Sequence, residues 1–305
     1  MNIVFMGTPD IAAVSLNKLI KTGYNVKAVF TKPDKPVGRK QILTEPPVKV
    51  LALENSIPVY QPETLRDGSA YQLLKQLNPD AIVVVAYGKI LPKEILNLPK
   101  FGCINAHASL LPKYRGSSPI QWSIVCGEKE TGITTMYMDE GVDTGDIIEK
   151  AVISIGENET AEELFDRLAV LAGDLLCSTL EKIENGTATR TPQNEAEATH
   201  APMIRKEMGE IDFSKTAYEI HNLVRGFYSW PAAYTFINGK RLKVYRTEIV
   251  DANADPRTVV KSDNSLVIAC GEKAVRLCDI QLEGGKRTTD TQFLLGNKIE
   301  QGSII

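Results

Sequence analysis

Three polar side chains at alternate positions suggest what chemistry this chain could do. In NAHASLLPKYRG, residues 105–116, Asn105, His107 and Ser109 alternate, and His107 is one of only three histidines. Alternate residues of a strand share a face, so Asn105 and His107 can point together at one cleft beyond a strand's end. An amide donor beside an imidazole suits acyl transfer: the amide N–H stabilises a developing oxyanion while the imidazole polarises or moves a proton. A carboxylate is wanted to set the imidazole's tautomer and charge. MYMDEGVDTGDII offers three, Asp139, Asp143 and Asp146, set among glycines. The competing reading is structural. A lone histidine at a strand end is more often simply hydrogen-bonded, and an acidic cluster is more often a solvated turn.

Other chemistries find little support. There is no G-x-S-x-G elbow for a serine hydrolase. Histidines 107, 200 and 221 are scattered, and the five cysteines (103, 126, 177, 270 and 278) contain no C-x-x-C pair. No metal site and no disulfide framework are expected, and a reduced, cytoplasmic compartment fits the cysteine usage. No apolar run reaches the ~18 residues of a membrane span, and MNIVFMGTPD reads as a buried strand entering a turn rather than a signal peptide. The net charge of −3 argues against a generally basic surface, so any nucleic-acid contact must use local patches.

Which elements would position Asn105 and His107? Short Val/Ile-rich runs (NIVFMG, NVKAVFT, DAIVVVAYG, FGCINAH) alternate with helical patterns such as IAAVSLNKLIKTG, VKVLALEN and YQLLKQLN. That alternation predicts a Rossmann-like, doubly wound, mostly parallel sheet covered on both faces. The first strand-to-helix turn, GTPD, lacks G-x-G-x-x-G and a P-loop lysine, so a dinucleotide is not expected. The site should still lie at the strands' carboxyl ends, near Gly7-Thr8, Tyr87-Gly88 and Asn105–His107. TGITTMYMD and DIIEKAVISI read as two more strands, pairing back on each other. Residues 160–186 read as a long helix with Thr160 as N-cap and Glu163 completing a capping box. Residues 187–212 lose periodicity and read as a linker that touches ligand. Residues 213–305 read as one helix followed by a small OB-like β-barrel, with turns at Asn238-Gly239 and Gly284-Gly285. At 305 residues, two domains are expected, at 1–186 and 213–305.

The motif region resembles the 10-formyltetrahydrofolate-dependent formyltransferase family, and within it the subgroup acting on tRNA. Its Asn-x-His-x-Ser-Leu-Leu-Pro run matches Asn105, His107, Ser109, Leu110, Leu111 and Pro112, with Arg115-Gly116 following. Its Asp-Thr-Gly element falls on Asp143. TKPDKPVGRK resembles the subgroup's tRNA-contacting insertion loop, and RGFYSWPAAYTFINGKRLKV with the closing residues resembles its C-terminal barrel. Two departures stand out: Lys113-Tyr114 where the family commonly has Arg-Trp, and Gly38-Arg39-Lys40-Gln41 where it often has Gly-Arg-Gly-Lys-Lys.

The resemblance implies formyl transfer from 10-formyltetrahydrofolate to the methionine amine of initiator methionyl-tRNA, for translation initiation. It implies Asn105, His107 and Asp143 as the catalytic set. It also implies Ser109–Pro112 (Ser109, Leu110, Leu111, Pro112) as one wall of a folate site, with Gly88, Lys89, Ile90 and Leu91 as another. Candidate tRNA contacts are Lys32, Lys35, Arg39 and Lys40 in the loop, Arg205 and Lys206 in the linker, and Lys240, Arg241, Lys243 and Arg246 in the barrel. Each basic cluster alone reads as a solvated face. A monomer is expected, since no apolar stripe demands a partner. The alternatives are a formyltransferase for an amino-sugar nucleotide or another small amine, or a non-catalytic folate- or RNA-binding relative.

Overall fold

The computed structural model describes residues 1–38 and 40–305. The chain forms two compact units. One takes Met1–Pro119, Thr131–Ile153 and Phe165–Ala201; the other takes Ile120–Glu130, Ser154–Leu164 and Pro202–Ile305. Neither is continuous, so the units' edges differ from the expected boundary at 186 and the expected linker at 187–212. Residues 187–201 fold with the first unit.

The first unit begins with β1 (Asn2–Gly7), α1 (Asp10–Lys21) and β2 (Asn25–Phe30). A small hairpin, β3 (Lys35–Val37) and β4 (Ile42–Thr44), precedes α2 (Pro47–Glu54), β5 (Val59–Tyr60) and α3 (Ser69–Leu77). Then come β6 (Ala81–Val85), α4 (Lys93–Leu96), β7 (Cys103–His107), the short β8 (Arg115–Gly116) and α5 (Pro119–Val125). The strands β9 (Glu130–Tyr137) and β10 (Ile147–Ser154), the helix α6 (Ala161–Glu184) and β11 (His200–Ala201) complete the series. The sheet runs β10-β9-β7-β6-β1-β2-β5. β1 is parallel to β2 and β6, β2 to β5, and β6 to β7, while β9 is antiparallel to β7. The Rossmann-like expectation holds.

Burial explains the strand composition. All five residues of β6, AIVVV, are buried, as are five of the six in β1. Each such aliphatic side chain stabilises the fold by about 1.5–3 kcal/mol relative to exposure. From β1 the chain builds outward to β2 and β5, then returns to β6 and β7 on the other side. The β1/β6 seam is therefore a topological switch point, and open α/β sheets bind ligands just beyond such carboxyl ends. β7 lies one strand further on. Its Asn105 pairs with Val84 and Met136, and His107 pairs with Thr134.

The β3–β4 hairpin was not foreseen in the loop sequence. It leaves Val37, Ile42 and Leu43 more than half exposed, an apolar surface absent from the sequence-based expectation.

In the second unit, Thr216 and Glu219 form a capping box at the start of α7 (Ala217–Gly226). β12 (Ala233–Ile237), β13 (Lys240–Val250), β14 (Val259–Lys261), β15 (Val267–Ala269), β16 (Ala274–Leu282), β17 (Thr288–Thr289) and α8 (Asp290–Gly296) follow. The strands form an antiparallel sheet in the order β12-β13-β16-β15-β14, with β17 on β16. Ile237 pairs with Lys240 across Asn238-Gly239, and both turn residues have positive φ, the geometry that favours Asn-Gly in tight hairpins. Leu242, Val244, Ile268, Leu277 and Ile280 meet Ile220 and Val224 of α7 in one apolar core. Buried Arg225 donates to the carbonyls of Gly156 and Glu159 at 3.0 and 3.1 Å, which ties the 154–164 segment to this unit.

Candidate active site

His107 sits at the carboxyl end of β7, 6% exposed, with Asn105 two residues before it at 9%. Its Nε2 lies 2.9 Å from the Tyr114 carbonyl oxygen, and its Nδ1 lies 3.5 Å from Asp143 Oδ2. A carbonyl only accepts, so Nε2 carries a hydrogen. Nδ1 faces a carboxylate, so the imidazolium is the form that fills both contacts. The Asn105 amide reaches the same carboxylate, with Nδ2 3.4 Å from Asp143 Oδ1. The Gly116 N–H donates to Asp143 Oδ2 at 2.8 Å.

Three of the residues involved hold backbone conformations that L-residues rarely adopt. Tyr114 has φ +61° and Asp143 φ +56°, and Ala86, just past β6, has φ +45°. Such conformations cost on the order of 1–3 kcal/mol each and persist where surrounding contacts fix them. Two glycines are required by the same geometry. Gly116 has φ +118°, and a side chain there would press on the Ala201 carbonyl. Gly145 abuts the Tyr137 carbonyl so closely that no Cβ fits, which holds the Asp-Thr-Gly turn against β9.

The structure separates the three acidic candidates. Only Asp143 faces His107. Asp139 accepts from the Gly141 N–H at 3.0 Å and the Thr144 hydroxyl at 2.7 Å, fixing its own loop. Asp146 lies 4.0 Å from Arg190, which stacks 3.6 Å over the Tyr137 ring.

Lys113 and Tyr114 contribute through their backbones. The Ser109 hydroxyl donates to the Lys113 carbonyl at 2.6 Å, the Tyr114 carbonyl holds His107, and the Tyr114 N–H donates to the Thr199 hydroxyl at 2.9 Å. These contacts run through the backbone and do not depend on side-chain identity.

Of the expected folate walls, Leu111 is fully buried against Met136 and Ile147, and Leu91 belongs to the apolar cluster under β1 and β6. Ser109 and Pro112 are buried and Leu110 half-buried, whereas Ile90 is 65% exposed. Lys89 is anchored to the Pro62 and Glu63 carbonyls. Gly88 lies directly under the Lys32 ammonium. Lys32 is half-buried, and burial, then Lys35 and Lys89, push its pKa down.

The remaining basic candidates are spread out. Lys35, Lys40, Arg205, Lys206, Lys240 and Arg246 are exposed and Lys243 is half-buried. Arg241 stacks 4.4 Å over Tyr234, and Arg246 pairs with Glu248 at 3.3 Å. Arg39 lies outside the described residues. Among the described residues no group of three His, Cys, Asp or Glu is arranged to hold a metal ion, and no helix is long and apolar enough to cross a membrane. All five cysteines are free thiols.

Comparison with known proteins assigns the lineage. Residues 1–180 match the family model described as formyl transferase, and residues 203–298 match formyl transferase, C-terminal domain. The chain belongs to the formyl transferase family. It is 50% identical over 308 residues to the methionyl-tRNA formyltransferase of Caldanaerobacter subterraneus subsp. tengcongensis, with all of both chains covered. It is 49% identical over 308 residues to that of Clostridioides difficile, again with both chains fully covered. Among solved structures, the sugar 3N-formyl transferase WlaRD superposes with a TM-score of 0.69 at 22% identity, covering 91% of this chain and 97% of that one. A methionyl-tRNA formyltransferase from Clostridium thermocellum gives 0.57 at 20% identity, covering 92% and 98%. These structures establish a shared fold.

Part of this formyl transferase's site escaped the sequence reading. Gln193 donates from Nε2 to the carbonyls of Asp143 and Gly145, both at 2.8 Å. Its Oε1 accepts from Arg115 Nε at 3.0 Å and Nη2 at 2.8 Å. Arg115, 3% exposed, also meets Glu195 at 2.7 and 2.9 Å, and that contact, opposed by burial, raises its pKa further. Gln193 and Glu195 sit in the aperiodic stretch between the two family matches. Nothing in their spacing ties them to Asp143, 50 residues earlier in the chain.

Proposed function

We propose that this formyl transferase moves the formyl group of 10-formyltetrahydrofolate onto the methionine amine of initiator methionyl-tRNA, in translation initiation. The observation that carries the reading is full-length identity near 50% to proteins named methionyl-tRNA formyltransferase. The amino-sugar alternative is not favoured. The sugar formyltransferases resemble this chain at 17–24% identity, which speaks to fold alone.

In this reading the folate supplies a formyl carbon already activated on nitrogen, and the chain's residues handle charge and protons. A free α-amine has a pKa of about 7.7–8.0, and the neighbouring ester lowers it, so much of the acceptor is neutral near pH 7 without a strong base. Asn105 and His107 donate to the oxyanion that forms when the amine attacks. To do so, His107 exchanges its bond to the Tyr114 carbonyl, while Asn105 uses the amide hydrogen that is not directed at Asp143. Asp143 faces and orients the imidazole, and relays the amine's proton toward the departing folate nitrogen. Ser109–Pro112 and Gly88–Leu91 supply backbone groups and apolar cover for the folate. Lys35 and Lys40 of the 31–45 loop and Lys240, Arg241 and Arg246 of β13, all exposed, contact the RNA backbone, with the C-terminal sheet closing as an OB-like barrel. The protein acts as a cytoplasmic monomer.

The test is a formyl-transfer assay on charged initiator tRNA, charged elongator tRNA and amino-sugar nucleotides. Transfer to the initiator alone, with a KM that rises steeply with salt, is the expected result. Transfer only to an amino sugar would overturn the assignment.

A further inference from the structure

Residues 190–201 run along the candidate site as a strap, fixed at regular intervals. Thr191 exchanges backbone hydrogen bonds with Ile147, Gln193 reaches the Asp143 turn, and Glu195 reaches Arg115. Thr199 then receives the N–H groups of Tyr114 and Arg115, and β11 pairs with β8 so that His200 and Ala201 align with Arg115 and Gly116. The strap thus touches both arms that meet at His107: the arm ending in Tyr114 and Gly116, and the arm ending in Asp143.

Gln193 is the point where the two arms are joined. Its amide is fully used, with both hydrogens on the carbonyls of Asp143 and Gly145 and its oxygen on buried Arg115. Asp143 holds a left-handed backbone that an aspartate does not hold cheaply, and a double donor on the carbonyls at 143 and 145 fixes that turn. The turn sets where the Asp143 Cβ leaves the backbone, and the Gly116 N–H then holds the carboxylate toward His107. Arg115 anchors the amide oxygen and is itself neutralised by Glu195, a carboxylate that remains largely exposed.

We propose that Gln193 is a positioning residue for the reaction, acting through Asp143, and that the 190–201 strap is part of the catalytic apparatus rather than a connection between domains. The inference rests on the role assigned to Asp143 above. Gln193 touches no reacting atom in this account; it sets how the carboxylate meets His107.

A double-mutant cycle tests this, because a residue that acts only through a second one loses its effect when the second is removed. The variants are Gln193→Leu, Asp143→Ala and the pair, assayed by single-turnover formyl transfer on the full chain, with thermal unfolding as a check on folding. Gln193→Leu is expected to lower the transfer rate roughly tenfold or more, leave both substrate KM values within about twofold, and cost nothing further once Asp143 is alanine. Glu195→Gln, which keeps the buried amide in place, should show a smaller loss that also vanishes in the Asp143→Ala background. A Gln193→Leu rate within twofold of wild type would overturn the proposal, as would an undiminished loss in the Asp143→Ala background. Near-normal turnover by Asp143→Ala itself would instead sink the underlying reading of Asp143.

Discussion

The molecule holds two deeply buried histidines, and the difference between them lies in one partner. His221, on α7 in the second unit, is 8% exposed; its Nδ1 lies 3.0 Å from the Thr247 hydroxyl and its Nε2 3.3 Å from the Glu157 carbonyl. A hydroxyl donates as readily as it accepts, so the neutral ring satisfies both contacts. Burial, the largest influence on it, pushes the His221 pKa down. His107 has the same carbonyl contact on one side but a carboxylate on the other. Only the charged ring then fills both, and the carboxylate is itself held by Gly116 and approached by Asn105. Burial with a hydroxyl gives a structural histidine. Burial with a positioned carboxylate, at a strand's carboxyl end among strained turns, gives one fit to handle protons.

The comparison can be broken most forcefully at His107. His107→Ala and Asn105→Ala should each lower formyl transfer by about 10²–10³, since each removes a donor proposed for the transition state. His107→Ala should also cost stability, because the Tyr114 carbonyl and the Asp143 carboxylate lose their partner. His221→Ala should cost stability alone. It should keep transfer within about threefold and destabilise the chain by about 1–3 kcal/mol in denaturant unfolding, because a buried hydroxyl and a buried carbonyl lose their partner. A large catalytic loss with intact stability at His221 would erase the distinction.

A smaller effect sharpens it through pH. The folded pKa of His221 lies below its ordinary value near 6.5, so its neutral form stabilises the fold fully above that value. Stability from this group should fall as pH drops below about 6.5 toward the lowered pKa, by at most about 1.4 kcal/mol per pH unit. Unfolding midpoints between pH 7.5 and 5.5 should therefore converge for wild type and His221→Ala. Equal acid sensitivity in both proteins would contradict the sign. The least effect is expected at Lys113→Arg and Tyr114→Trp, which restore the commoner family residues. Because their contacts to Ser109 and His107 run through the backbone, transfer should change less than about threefold.

Much of this was legible in the sequence for identifiable reasons. The strands of the parallel sheet announced themselves because burial on both faces demands unbroken Val and Ile, as in AIVVV, and the β12–β13 turn because Asn-Gly tolerates two positive φ values. Asn105 and His107 could be paired because strand periodicity fixes which side chains share a face. Choosing Asp143 over Asp139 and Asp146 needed the resemblance, since three carboxylates in one glycine-rich loop have no period to sort them. The strap was illegible. Of helix and strand, residues 190–201 hold only one 3₁₀ turn, Glu195–Glu197, and the two-residue β11, and the side-chain hydrogen bonds that fix them to the site reach segments 48 to 85 residues away. The units' edges were hidden for a similar reason: Arg225, far along the chain, holds 156–159 to the second unit through backbone carbonyls that carry no sequence signature.

The central claim is that a carboxylate-held imidazole at the end of β7 moves a formyl group onto an aminoacyl-tRNA. Its most direct test is single-turnover transfer from 10-formyltetrahydrofolate to charged initiator tRNA, comparing wild type with Asp143→Asn. The substitution keeps the side chain's shape and its contact with Gly116 while removing the charge that faces His107. A rate loss on the order of 10²–10³ with unchanged binding of both substrates is predicted. Transfer at the wild-type rate by Asp143→Asn would contradict it.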